Sequence, residues 1–172
     1  MPPSVAHVSR AIDLIPEASR VITDLPLDGS WDRPTPCTAW TVRDLLNHLT
    51  SEHLWAPHLL RGESLAEVGT RYDGDLLGDD PVGAWRRAIS GSVLAWGQAD
   101  AGGTVHTSMG QLPTSDYASQ MLVDLTVHAW DLARAVGVRP HLVADAVEAC
   151  LGYEKPRVDG GEVPGIFAAP VP

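Results

Sequence analysis

Lysine is almost missing from this sequence. Lys155 is the only one, and Arg supplies the other 11 of the 12 basic side chains. A Schiff-base or phosphate-clamping lysine would have to be Lys155. Basic charge is scarce altogether, with 22 acidic residues against 12 basic and a formal net charge of −10. With no basic run of five or more, nucleic acid and anionic membrane surfaces make poor partners. Cysteine is limited to Cys37 and Cys150. Two distant thiols form neither a disulfide framework nor a CxxC zinc or redox motif, and both are expected to stay reduced. No apolar run approaches the ~20 residues that span a bilayer. The start, Met1-Pro2-Pro3-Ser4, lacks the charged-then-apolar pattern of a signal peptide. The expectation is a cytoplasmic protein. Gly-x-Ser-x-Gly, P-loop and Gly-x-Gly-x-x-Gly patterns are also missing, which removes several hydrolase and nucleotide-binding chemistries.

What is present suits one domain over residues 1–172: 44% hydrophobic and 20% charged. Val5, Val8, Ile12, Ile15, Ser19 and Ile22 recur at helical steps and predict a helix over 4–25. Pro16 is expected to kink or split it, and Pro26 to close it. After a linker over 26–40, Thr41 with Asp44 reads as a capping box opening a second helix, Val42–Leu60, stopped by Gly62. Residues 61–80 read as a polar connection. Asp80 caps and Pro81 opens a third helix running to about Gln98, with Trp85, Ala88, Ile89, Val93 and Trp96 inward. A short extended piece is expected at Thr104–Ser108. A fourth long helix runs from about Thr114 to Val136, ended by Gly137. A shorter helix is expected at Leu142–Leu151, with irregular chain from about 153. Four long amphipathic helices without a strand set indicate an all-α bundle.

The chemistry concentrates on helices two and four. Asp124 and His128 are four apart, so they project from one helix face. With a third ligand from a facing helix they would make a metal site of imidazole and carboxylate donors, suited to Zn²⁺, Ni²⁺ or Fe²⁺. His48, His53 and His58 on helix two all compete for the third place. Against this, Gln120, Asp124, His128 and Asp131 share one polar sector, which periodicity alone assigns to solvent. Asp131 is not expected to ligate. His7 and His141 read as surface residues. Cys37 reads as a buried structural thiol rather than a nucleophile. Trp130 reads as core. Trp40 and Trp55, flanking the His48 helix, are the pocket candidates, with His106 a further one.

The stretch Pro34-Thr35-Pro36-Cys37-Thr38-Ala39-Trp40-Thr41-Val42-Arg43-Asp44-Leu45-Leu46-Asn47-His48 resembles the opening of the mycothiol-dependent maleylpyruvate isomerase-like metal-binding domains of the DinB/YfiT-like superfamily. Gly74 to Pro81, Val105 to Gly110 and Asp124 to Ala135 fit the same family in the same order, so the likeness covers roughly residues 5–140. It implies a four-helix bundle of up-down-down-up topology, here with a short extra C-terminal helix. It implies a divalent metal held by His48, Asp124 and His128. Characterised members use the metal to activate a low-molecular-weight thiol, for isomerisation or thiol transfer.

The function expected is therefore a metal-dependent enzyme that activates a mycothiol-type thiol. That thiol is transferred to a small electrophile or used to isomerise it. A thiol-independent isomerase or cyclase of specialised metabolism, and a non-catalytic metal-binding module, are the alternatives. A homodimer is expected, since closed two-fold pairing is the commonest assembly.

Overall fold

The computed structural model describes residues 5–108 and 110–159. Its elements are α1 (Val5–Thr23), α2 (Val42–Leu60), α3 (Leu65–Val68), α4 (Pro81–Gly97), β1 (Thr104–Thr107), β2 (Gly110–Pro113), α5 (Thr114–Ala135) and α6 (Ala144–Asp159). The fold is mostly helical, with one two-stranded antiparallel hairpin in which Thr104 faces Pro113 and Thr107 faces Gly110.

The capping box at α2 forms as its sequence dictates. The Asp44 amide donates to Thr41 Oγ1 (3.2 Å), and the Thr41 amide donates to the Asp44 carboxylate (2.9 Å). Two amides at the helix start that lack intrahelical partners are thereby satisfied. Val42, Leu45, Leu46, Leu49 and Ala56 then bury completely along one face. Gly62 follows the helix with a φ of +82°, a conformation that favours glycine. Asp80 caps α4 by accepting from the Gly83 amide at 3.0 Å, with Pro81 in the first turn.

Helix α1 packs on α5 and α4, α2 packs on α4 and α5, and α6 lies against α5 and α1. Their shared core includes Ile15 and Ile22 from α1, Trp85 and Trp96 from α4, and Leu122, Leu125 and Leu132 from α5. Each such side chain contributes roughly 1.5–3 kcal/mol by leaving water. Among the described residues no helix is long and apolar enough to cross a membrane.

Several expectations need correcting. Helix α1 runs unbroken through Pro16. Ile15, Ala18 and Ser19 are buried around it, so packing holds the helix across the missing amide. The polar connection contains α3, opened by a second capping box, Ser64 with Glu67. The extended piece at Thr104 has a partner strand, β2. Helix α6 continues past 153 to Asp159 with Pro156 inside it. There Arg157 donates to the Tyr153 carbonyl (2.8 Å) and lies over the Tyr153 ring. Residues 160–172, where the remaining expected tail falls, lie outside the described residues, as do the side chains of Val5, His7 and Val8. Trp130 is not core: it is 42% exposed, beside Arg134 on the outer side of α5.

Candidate metal centre

Helices α2 and α5 bring His48, Asp124 and His128 together. His48 Nε2 lies 3.0 Å from Asp124 Oδ2, and His128 Nε2 lies 3.3 Å from Asp124 Oδ1. One nitrogen or oxygen from each residue falls within 4.8 Å of the other two. A cation with N and O ligands at about 2.0–2.2 Å holds tetrahedral ligands roughly 3.3–3.5 Å apart, close to the two histidine–Asp124 separations. The three side chains are between 14% and 28% exposed, open enough for a small molecule to arrive. The Trp40 ring lies 4.9 Å from the His48 ring and 6.0 Å from that of His128, forming one wall. Its turn is held by the Trp40 amide on the Cys37 carbonyl (2.8 Å) and by Thr35 Oγ1 on the Trp40 carbonyl (2.9 Å).

Asp124 and His128 of the polar sector therefore face α2 rather than solvent, whereas Gln120 turns to the Tyr153 hydroxyl of α6 at 3.5 Å. Asp131 is buried, and its Oδ2 accepts from His128 Nδ1 at 2.8 Å. With the Nδ1 proton engaged, Nε2 is the nitrogen turned toward Asp124. A carboxylate behind a ligating histidine fixes its tautomer and orientation in this way at many metal sites.

The electrostatics favour positive charge at this point. Burial alone pulls the His128 imidazole down, but hydrogen bonds and charge from Asp124 and Asp131 outweigh it and raise its pKa to about 9. At His48 burial is likewise the largest effect, and Asp124 overcomes it to give a net rise. Asp124 moves the other way: burial pushes it up, but the two histidines pull it down to about 2. Protons or a metal ion would each supply the positive charge these carboxylates face.

The remaining candidates fall elsewhere. His53 is fully buried, with Nε2 3.2 Å from Ser19 Oγ. His58 bridges Glu63 and the Tyr72 hydroxyl, at 2.7 Å each. Trp55 packs on Tyr72 and not on the three converging residues. His106 and His141 are exposed, His106 on β1. Cys37 and Cys150 are free and half-buried. Glu52 was missed by sequence reasoning. It follows His48 by one turn of α2, a spacing that was open to inspection.

A family model described as the mycothiol maleylpyruvate isomerase N-terminal domain matches residues 13–133, a span that includes Trp40 and all three converging residues. The chain belongs to this family, which lies in the DinB-like superfamily. Two uncharacterized proteins of Mycobacterium tuberculosis, from strains CDC 1551 / Oshkosh and ATCC 25618 / H37Rv, are similar to it. Each is 28% identical over 147 residues, covering 81% of this chain and 75% of its own length. No solved structure gives a significant match.

Proposed function

We propose, from the family to which the chain belongs, that it is a metal-dependent enzyme of thiol chemistry working as one domain. His48, Asp124 and His128 hold a divalent ion (zinc, nickel or iron) for a mycothiol-type thiol. The product is a thiol adduct or an isomer of a small electrophile. The observation that carries this reading is the convergence of two imidazoles and one carboxylate from two helices, with Asp131 behind His128.

A divalent ion in such a site lowers the pKa of a coordinated thiol and so supplies a thiolate at neutral pH. The chain's own residues would do the rest. Asp131 keeps the His128 Nδ1 proton in place, so Nε2 faces the site. Asp124 offsets positive charge between the two rings. Trp40 covers one side and limits water there. The packing of α1 on α5 and of α2 on α4 supports the finer fold reading, an up-down-down-up bundle of the four long helices. Homodimerisation and a cytoplasmic location complete the proposal.

Metal analysis of purified protein, followed by a mass-spectrometric screen for thiol conjugates, tests this. About one divalent ion per chain and thiol-dependent product formation are expected. Turnover independent of thiol would move the function to an isomerase or cyclase. Bound metal without any turnover would leave a binding module. Failure to bind Zn²⁺, Ni²⁺ or Fe²⁺ at micromolar levels would overturn the metal site.

A further inference from the structure

Glu52 stands four residues after His48, so both project from one face of α2, about 6 Å apart along the axis. Its side chain is half-buried and has no hydrogen-bond or ion-pair partner among the described residues. The charged and titratable groups acting on it are Asp124 of α5 and His48 of its own helix. Glu52 in turn acts on Tyr117, which sits seven residues before Asp124 on the same face of α5. The Tyr117 hydroxyl is buried and has no hydrogen-bond partner among the described residues either. The two helices that carry the three converging residues thus each carry, one or two turns away, a polar group without a protein partner among the described residues: the Tyr117 hydroxyl buried, the Glu52 carboxylate in reach of water.

Carboxylates in a folded chain are usually paired, and that of Glu52 keeps access to water instead of a protein donor. The other acids near the centre are paired: Asp124 with two histidines and Asp131 with one. Glu52 does not belong to the group of ligand atoms within 4.8 Å of one another. Its carboxylate is suited to something that arrives with the substrate.

We propose that Glu52 is a specificity-determining residue of this site: its unpaired carboxylate receives a hydrogen-bond donor or ammonium group of the incoming thiol and rejects thiols bearing their own carboxylate. The inference rests on the metal–thiol reading above. A thiol with donors a few bonds from sulfur would satisfy Glu52 when its sulfur is at the metal centre. A thiol ending in carboxylate would meet like charge at a partly buried position.

The test uses cobalt-loaded protein, in which a thiolate ligand produces a charge-transfer absorption independent of turnover. The probes are cysteamine, which carries an ammonium, and 3-mercaptopropionate, which carries a carboxylate. Wild-type protein should bind cysteamine at least tenfold more tightly. Glu52→Gln should bring the two affinities within about twofold while keeping its cobalt. Asp13→Asn, at an exposed acid of α1 without an ion-pair partner among the described residues, should retain the wild-type ratio and so control for net charge. An unchanged ratio in Glu52→Gln overturns the proposal and leaves the thiol reading standing. A tenfold loss of cobalt in Glu52→Gln also overturns it, making Glu52 part of the metal site. Cobalt binding with no charge-transfer band for either probe overturns the thiol reading itself, and this proposal with it.

Discussion

His48 and His53 are five residues apart on α2 and meet opposite environments. His48 faces α5, where Asp124 accepts its Nε2 proton and outweighs the burial that opposes charge. His53 points into the core, 0% exposed, with its ring 5.0 Å from that of Trp85. Ser19 gives its single hydroxyl proton to the Ile15 carbonyl at 2.8 Å, so His53 Nε2 must be the donor to Ser19 Oγ. His53 Nδ1 is then a bare lone pair without a partner among the described residues. Burial drives this ring's pKa down to about 3. The same residue type on one helix is thus built to carry positive charge at one position and to refuse it at the other. The difference lies in which neighbour each ring meets.

The largest effects come from removing one kind of histidine at a time. His128→Ala should lower metal affinity by more than 100-fold, read by metal analysis after dialysis, and should also lower stability near neutral pH, because it leaves Asp131 buried without its partner. His53→Ala should retain metal and lose about 2–4 kcal/mol in denaturant unfolding, because it leaves a cavity beside Trp85. Metal retained in His128→Ala would break the comparison.

Next come the acids that set the two rings of the centre. Asp124→Asn keeps shape and removes charge, and should weaken metal binding while the fold persists. From sequence Asp131 is not expected to ligate, so metal should be retained without its charge. Its 2.8 Å bond to His128 Nδ1 gives it an orienting role. Asp131→Asn should keep metal with about 10–100-fold lower affinity, as is usual when a group orienting a ligand is altered. Isothermal titration with zinc separates the two variants, and equal affinity for Asp131→Asn and wild type would remove its role.

Acidity sharpens the contrast further. The folded pKa of His53 lies below its unfolded value near 6.5, so the unfolded chain binds the proton more readily. Stability is therefore full above about pH 6.5 and falls as pH drops toward 3, at up to ~1.4 kcal/mol per unit. His128 has the opposite sign in the metal-free protein. Its stabilisation is present below about pH 6.5 and lost as pH rises through about 9. The Asp124 contribution is lost as pH falls from about 4 toward 2. Metal affinity should rise with pH up to about 9, because an ion must displace a proton from His128. His53→Leu should flatten the decline between pH 6.5 and 5, followed by urea midpoints. An unaltered decline would show that another group titrates there.

Much of this was legible because local signals agreed with packing. The bounds of α2 follow from the Thr41–Asp44 box and the apolar stripe, and the Asp80-Pro81 start of α4 from its own chemistry. Three features hid for physical reasons. Strand β2, Gly-Gln-Leu-Pro, has no β-branched residue, so only its pairing with β1 reveals it. The Trp130 ring looked like core because a helical spacing of aromatics does not say which side is covered. The acid–histidine sector of α5 looked solvated for the same reason, and it was the resemblance, not the period, that pointed His48 toward it. The signature for α3, Ser64 followed by Glu67, is present in the sequence as a capping box.

The smallest expected effect tests whether the two histidines depend on the helix that carries them or on their own neighbours. Thr41→Ala deletes the side chain that accepts from the Asp44 amide and bonds the Asp44 carboxylate at 2.7 Å. An N-cap loss of this kind costs about 1 kcal/mol. The first turn of α2 would fray, but His48 lies nearly two turns inside it and is tied to Asp124, and His53 lies deeper still among buried groups. Both histidines should keep their separate characters. Metal affinity should stay within about twofold of wild type, and the fall in stability below pH 6.5 should keep its slope, displaced downward by the lost cap. Urea unfolding at pH 7 and 5.5, with zinc titration at pH 7, measures all three quantities. A tenfold loss of zinc in Thr41→Ala would mean that the start of α2, and not the contact with α5, positions His48.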